Sequence, residues 1–202
     1  MEEVDLKIGC VVLAAGQSRR FGRNKLLEPL AQKPVLLHVL DMLPRESLDR
    51  LVAVVGSPEA AQLCCDAGMS IRFNKVGPLS HTIRLGIQAM EGMDGCLFVM
   101  GDQPLCTTVS IRRILAAFGS VSNDVLRLSN CSGPGSPVLF PQRLFGALAT
   151  LAGEQSGMKA VKKGIDRVHL VQADYEFELW DADTPEDIAK LESCLEFMPF
   201  AD

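Results

Sequence analysis

The sequence predicts an α/β fold: a three-layer α/β/α sandwich built on a mostly parallel sheet. Three observations point there. Continuous apolar runs of strand length, at residues 8–13 and 96–100, mark strands covered on both faces. Segments of helical patterning lie between successive strands. The 202 residues suit one such domain and can bury a self-sufficient core without staples.

Taken in order, residues 8–13 form the first strand, and a basic loop follows it. Pro34 opens a helix over 34–43, since proline is tolerated in a first turn. Residues 51–55 are the second strand, ended by Gly56, and 58–67 a helix. A short strand at 71–73, a helix at 81–90 and the buried strand at 96–100 come next. That strand runs into Gly101-Asp102-Gln103-Pro104, after which Thr107 or Thr108 caps a helix ending near Phe118. Strands are expected at 124–128 and 137–140, separated by a turn at 132–136. Helices follow at 144–151 and 157–163, and extended segments at 168–172 and 178–180. Thr184-Pro185-Glu186-Asp187 starts the last helix, with a capping threonine, a first-turn proline and acids at the positive dipole end; it runs to about Phe197. No internal repeat or linker interrupts the pattern, so residues 1–202 read as a single domain with a Rossmann-like sheet. In such sheets ligands bind beyond the carboxyl ends of the strands.

Composition narrows the function. A net charge of −5 argues against general nucleic-acid binding, which favours a basic face. Seven scattered cysteines without C-x-x-C spacing suit reduced thiols in a cytoplasmic protein. No secretory signal is expected in MEEVDLK, and no membrane span in a chain lacking a long uninterrupted apolar run.

The chemistry gathers at two loops. Leu13, Ala14, Ala15 and Gly16 end the first strand in small residues, and Ser18, Arg19, Arg20, Gly22, Arg23 and Lys25 follow with no acid among them. Backbone can approach a polyanion closely where side chains are absent, so the loop fits a triphosphate. It is neither a Walker A loop nor a dinucleotide fingerprint, and the plain alternative is a basic surface turn. Asp102, beyond the strand at 96–100, suits a divalent-metal ligand, a ribose ligand or a turn former. Asp181 and Asp183 precede the final helix; Thr184 is the better cap, which leaves Asp183 for other work. Mg²⁺ takes one or two carboxylates together with substrate phosphates. His38 reads as structural and His81 as a possible ligand contact. Neither they nor His169 have the spacing of a metal site or a triad.

These residues carry a resemblance. The chain is similar to the nucleotidyltransferases of the molybdenum cofactor, more closely to their cytidylyltransferase branch than to their guanylyltransferase branch. The motif L-A-A-G-x-S-x-R-[MF]-G-x-x-K is met by Leu13, Ala14, Ala15, Gly16, Ser18, Arg20, Phe21, Gly22 and Lys25. GD-[MQ]-P is met by Gly101 to Pro104, and D-x-D-T-P-x-D by Asp181, Asp183, Thr184, Pro185 and Asp187. Asn74, Thr82, Ile83 and Gly86 resemble the N-P…S-[LI]-x-x-G segment, and Gly153, Glu154 and Lys159 the G-[DE]…R stretch.

The resemblance implies nucleotide binding by Leu13, Ala14, Ala15, Gly16, Ser18, Arg20, Gly22, Lys25, Asn74, Thr82 and Gly101. It implies catalysis by Arg20, Lys25 and Asp102, with Mg²⁺ on Asp102 and Asp183. The implied reaction is CMP transfer from CTP to the terminal phosphate of molybdopterin with release of pyrophosphate, and the implied partner a molybdenum hydroxylase in transient contact. The family's G-x-P-G-H-P turn carries Ser136 in the histidine's place, and Lys75, Pro78 and Thr82 depart from the segment after Asn74. Those departures leave base and acceptor open. Another acceptor, GTP, or a non-catalytic cofactor-binding role stay as alternatives.

Overall fold

The computed structural model describes residues 6–16, 21–74 and 77–197. In chain order it contains β1 (Ile8–Ala14), β2 (Pro29–Leu30), β3 (Lys33–Pro34), α1 (Val35–Asp41), β4 (Arg50–Val55), α2 (Pro58–Asp66), β5 (Ser70–Phe73) and α3 (Leu79–Gln88). Then come β6 (Gly95–Met100), α4 (Thr108–Ser120), β7 (Val125–Asn130), β8 (Gly133–Pro141), α5 (Phe145–Ala149), β9 (Val168–Gln172) and α6 (Pro185–Leu195).

The central sheet has seven strands in the order β5-β4-β1-β6-β8-β7-β9. Only β8 runs against the others, pairing antiparallel with both β6 and β7. The expected mostly parallel α/β sandwich is therefore what forms. Although β1 reads as one apolar run, its side chains alternate between two cores. Cys10, Val12 and Ala14 join the core beneath α1, α2 and α4, while Val11 joins the core beneath α3 and α5. A strand buried on both faces needs no polar alternation.

The topology places the site. From β1 the chain crosses to β4 on one side and later to β6 on the other, so the strand order reverses at β1. Register pairs Ala14 with Val55 and Leu13 with Met100, so the loops after β1, β4 and β6 leave along one edge. The ladder continues past the strand ends, with Gly56 N donating to Ala14 O and Gly101 N to Leu13 O. A third, smaller core joins Leu30, Val35, Leu105, Ala182 and Leu191 beside that edge.

Several expected boundaries differ. Residues 178–180 are not extended: Glu176–Leu179 is a single 3-10 turn, because the Glu178 carboxylate folds back to accept from Asp174 N and Tyr175 N. The expected turn at 132–136 is mostly strand, since β8 already starts at Gly133 opposite Asn130. The helix expected at 157–163 is one 3-10 turn, Gly157–Ala160, and that at 144–151 shortens to α5 with a preceding 3-10 turn. The hairpin β2–β3 was not foreseen. Its two turn residues, Ala31 and Gln32, adopt positive φ of 48° and 67° without the Asn-Gly signature that announces such turns. Ala31 N donates to Glu192 Oε1, which ties the hairpin to α6.

Close helix-to-sheet packing depends on Gly86 in α3, where an added Cβ would lie 2.6 Å from Val11 Cγ1. Gly119 in α4 has open space around it. Gly86→Ala should therefore destabilise the fold by about 1–3 kcal/mol through overpacking. Gly119→Ala should stabilise it by about 0.5–1 kcal/mol through helix propensity. Chemical denaturation midpoints of the two variants check both signs.

Candidate functional site

The loop after β1 is held by its own polar groups. Asn24 Oδ1 accepts from Leu26 N, and Asn24 Nδ2 donates to Ser57 Oγ, which itself caps α2. Arg23 pairs with Glu28 through Nε at 2.5 Å and Nη2 at 2.5 Å. Gly22 takes φ of +72°, a conformation that residues with a side chain seldom adopt. These contacts set the 3-10 turn Lys25–Leu27, which turns Lys25 inward until it is 8% exposed.

Lys25 Nζ donates to Asp102 Oδ2 at 2.6 Å and to Asp183 Oδ1 at 2.5 Å. Three segments remote in sequence thus meet at one ammonium. Burial works against the lysine's charge, but the Asp102 and Asp183 carboxylates outweigh it and its pKa ends above the ordinary value. Thr184, and not Asp183, is the cap of α6, exchanging hydrogen bonds with Asp187.

Asp102 follows Gly101, whose Cα lies so close to β1 that a Cβ would meet Leu13 O at 3.0 Å and Ala14 Cβ at 3.2 Å. Ala182 N donates to Asp102 O at 2.8 Å. Gln103 Nε2 donates to Asp181 Oδ1 at 2.9 Å and to Leu179 O at 3.3 Å. Asp181 is solvent-exposed as a residue, but desolvation of its carboxyl and the charges of Asp102 and Asp183 push it up to about 6, against the Gln103 hydrogen bond and Lys25. Among the described residues nothing donates to Asp102 Oδ1, although that oxygen is buried.

The structure thus brings together Lys25, Asp102, Asp183 and Gly101 beside the Leu13–Ala14–Ala15–Gly16 strand end. Gly16 is exposed with nothing within 4 Å of where its Cβ would be. Asn74 and Thr82 are buried and bonded to each other, Nδ2 to Oγ1 at 2.8 Å, which pins the start of α3 to the end of β5. Ser18, Arg19, Arg20 and Lys75 lie outside the described residues. Ser136 sits within β8, one residue past Gly135, whose Cα packs on Leu179. His38 donates from Nε2 to Leu30 O with its pKa lowered by burial, a structural role as expected. Gln103 and Glu178 were not singled out in the sequence. Gln103 lies inside a motif, and Glu178 is one of several acids alternating with Tyr175, Phe177 and Leu179, so no local signal sets it apart.

A family model described as the MobA-like NTP transferase domain matches residues 10–169. A probable molybdenum cofactor guanylyltransferase of Pyrococcus horikoshii is 31% identical over 117 residues, which is 57% of this chain and 58% of that protein. The bifunctional protein GlmU of Janthinobacterium sp. is 32% identical over 168 residues, 79% of this chain and 36% of that protein. The chain therefore spans less than two thirds of either relative. The crystal structure of Rv0371c from Mycobacterium tuberculosis H37Rv superposes with a TM-score of 0.80 at 27% identity, covering 93% of this chain and 98% of that one. A structure of Rv0371c in complex with manganese superposes with a TM-score of 0.74. No helix among the described residues is long and apolar enough to cross a membrane.

The raised Asp181 pKa has a stability consequence with a definite sign. The folded state holds the proton more tightly than the unfolded chain, so its contribution is complete below the unfolded value of 3.8. That contribution is lost as pH rises through about 6. Asp181→Asn should remove this fall. Denaturation midpoints of both proteins across that interval should converge at the acid end and separate above it, the variant being the more stable.

Proposed function

The chain belongs to the MobA-like NTP transferase family, and on that premise we propose that it is a magnesium-dependent cytidylyltransferase moving CMP from CTP to the terminal phosphate of molybdopterin. The observation that carries this reading is the single buried ammonium of Lys25 shared by Asp102 and Asp183 at the strand-order reversal. A strand end of small residues, Ala14, Ala15 and Gly16, lies beside it. Nothing in this arrangement resembles an activated nucleophile, and phosphoryl-type transfer does not require one: positioning and charge neutralisation suffice.

The residues fit a divalent cation. Two carboxylates already converge on a positive charge, and the inner oxygen of Asp102 is buried without a donor among the described residues. Asp102 and Asp183 would hold the ion, with Lys25 freed toward the phosphates. A bound divalent ion supplies neutralisation of charge on phosphate oxygens. The manganese bound by Rv0371c supports a divalent site of this kind.

The protein's own groups then have distinct tasks. Backbone at Ala15, Gly16 and Gly22 approaches the triphosphate where no side chain intervenes. Lys25 and Arg20 neutralise the β- and γ-phosphates, while Asn74 and Thr82 hold the start of α3 beside the nucleotide. The acceptor's terminal phosphate oxygen attacks the α-phosphorus in line. A new O–Pα bond forms, the bond from Pα to the bridging oxygen breaks, and pyrophosphate leaves with that electron pair. A cytoplasmic location agrees with seven free cysteines, and delivery of product to a molybdenum hydroxylase follows from the acceptor.

Likeness to a guanylyltransferase and to GlmU supports a second reading of the same chemistry, with GTP or a sugar phosphate. A non-catalytic binder is the reading from another class. Pyrophosphate release measured with each of the four NTPs, Mg²⁺ and molybdopterin separates them. Turnover with CTP alone is expected; turnover with GTP alone assigns the guanylyl reaction, and tight binding without release with any acceptor assigns the binder.

Two variants test the roles. Asp102→Ala should lower turnover by about 10²–10³-fold, on the order of 3–4 kcal/mol of barrier, while unfolding stays cooperative. A wild-type rate removes Asp102 from the reaction. Lys25→Ala should weaken triphosphate binding more than monophosphate binding in calorimetric titrations; equal weakening removes Lys25 from the β- and γ-phosphates.

A further inference from the structure

Glu178 is wholly buried, at 0% exposure, yet it is not among the groups that meet at Lys25. Both of its oxygens are engaged. Oε1 accepts from Asp174 N at 2.9 Å and from Tyr175 N at 3.1 Å. Oε2 accepts from Thr107 N at 3.0 Å and from Thr107 Oγ1 at 2.9 Å. Thr107 is the N-cap of α4, its hydroxyl accepting from Ser110 N, so the carboxylate lies at the positive end of that helix. Four N–H and O–H donors thus satisfy both oxygens of this buried carboxyl group.

Its position in the chain gives the contact meaning. Thr107 closes the loop that begins at Asp102, and Glu178 stands at the base of the segment that carries Asp181 and Asp183. Beyond this tie the two segments touch again through Ala182 N to Asp102 O, and through Gln103 Nε2 to Leu179 O and Asp181 Oδ1. Leu105 and Ala182 share the small third core between them. One end of this two-stranded assembly is the Glu178–Thr107 tie, and the other is the pair of carboxylates on Lys25.

We infer that Glu178 is a positioning residue: by fastening the segment at 174–179 to the N-terminus of α4, it sets the Asp183 carboxylate against that of Asp102 and so creates their shared cation affinity. The cation part of this inference rests on the function proposed above; the mechanical part does not. Without the tie, the segment at 179–183 keeps its Ala182, Gln103 and Lys25 contacts to the Asp102 loop but loses its anchor at the N-terminus of α4, which loosens the spacing of the two carboxylates. Acceptance at both oxygens of Glu178 matters, because an amide in its place would turn an N–H₂ group toward two of the four donors.

The chain's single tryptophan, Trp180, lies between Glu178 and the acids and is 40% exposed, so its emission reports on this segment. Titration of the nucleotide-free protein with Mn²⁺, read as paramagnetic quenching of that emission, measures cation affinity without catalysis. Glu178→Gln should raise the half-saturating Mn²⁺ concentration at least tenfold. Thr107→Val, which removes one donor of four, should raise it two- to fivefold, and Thr107→Ser should restore it. Leu148→Ala, a truncation in the core beneath α3 and α5, controls for lost stability and should leave Mn²⁺ affinity at the wild-type value.

Amide exchange provides the metal-free measurement. Thr107 and Ala182 amides should exchange at least tenfold faster in Glu178→Gln, with the β1 amides unchanged. If Glu178→Gln does not fold, the same two readouts on Thr107→Val decide the matter. Wild-type exchange at Ala182 together with wild-type quenching overturns the inference, as does a Leu148→Ala loss of affinity as large as that of Glu178→Gln. Quenching that Asp102→Asn leaves untouched overturns the cation reading instead, and the Ala182 exchange rate still judges the tie.

Discussion

One ammonium group organises this molecule. Lys25 Nζ reaches two carboxylates from segments far along the chain; the lysine and Asp102 are largely shielded from water, while Asp183 stays partly exposed. Each charge alone would be costly in that place, because desolvation disfavours the ionised form. Together they are tolerable, and only together. The pairing constrains the loop after β1, the loop after β6 and the segment before α6 at once. Asp102 carries the sharpest tension, with one oxygen on Lys25 and the other buried with no donor among the described residues. A buried acceptor in that condition costs fold stability rather than adding to it.

What offsets the electrostatic cost is apolar and adjacent. Leu30, Leu105 and Leu191 are fully buried in the third core with Val35 and Ala182. Burial of each leucine contributes about 1.5–3 kcal/mol. This cluster takes one member from the β2–β3 hairpin beyond Lys25, one from the loop beyond Asp102, one from between Asp181 and Asp183, and one from α6. Three of its five members thus come from segments next to Lys25, Asp102 and Asp183, while Val35 and Leu191 come from α1 and α6. Packing, rather than charge attraction, brings the acids within reach of the lysine; the hydrogen bonds then choose the final geometry.

Which features were readable in advance follows from the same division. The parallel strands were legible because burial on both faces leaves uninterrupted apolar runs, and the site loops because small residues, cations and an acid stand immediately after strand ends. Thr184 as the cap of α6, with Asp183 left over, was legible from spacing alone. The β2–β3 hairpin was not, since Ala31 and Gln32 hold positive φ through tertiary contact with α6 rather than through a turn sequence. The turn at Glu176–Leu179 was not legible either. Its alternation of Tyr175, Phe177 and Leu179 with acids imitates a strand, and only the partner Thr107, remote in sequence, draws Glu178 inward. The start of β8 was hidden by two glycines and two prolines that usually punctuate turns. Local pattern reports what each segment prefers; it is silent where a distant donor decides.

The same contacts connect reaction class to specificity. Ala14 and Gly101 stand at strand ends joined in the central sheet, whereas the departures from the family pattern cluster at Ser136 and after Asn74. These regions are not mechanically separate. Gly135, beside Ser136, packs so tightly on Leu179 that a Cβ there would fall 2.4 Å from Leu179 Cδ2, and Gly135 O accepts from Arg127 Nε. The carbonyl of that same Leu179 accepts from Gln103, the neighbour of Asp102. A change of residue in the β8 turn is therefore transmitted through Leu179 to the two acids as well as to whatever the turn itself contacts. A substitution at the start of β8 thus also bears on the placement of Asp102 and Asp181. For that reason Ser136 is best understood together with Leu179 and Gln103, as one coupled set, and not as an isolated substitution at a recognition surface.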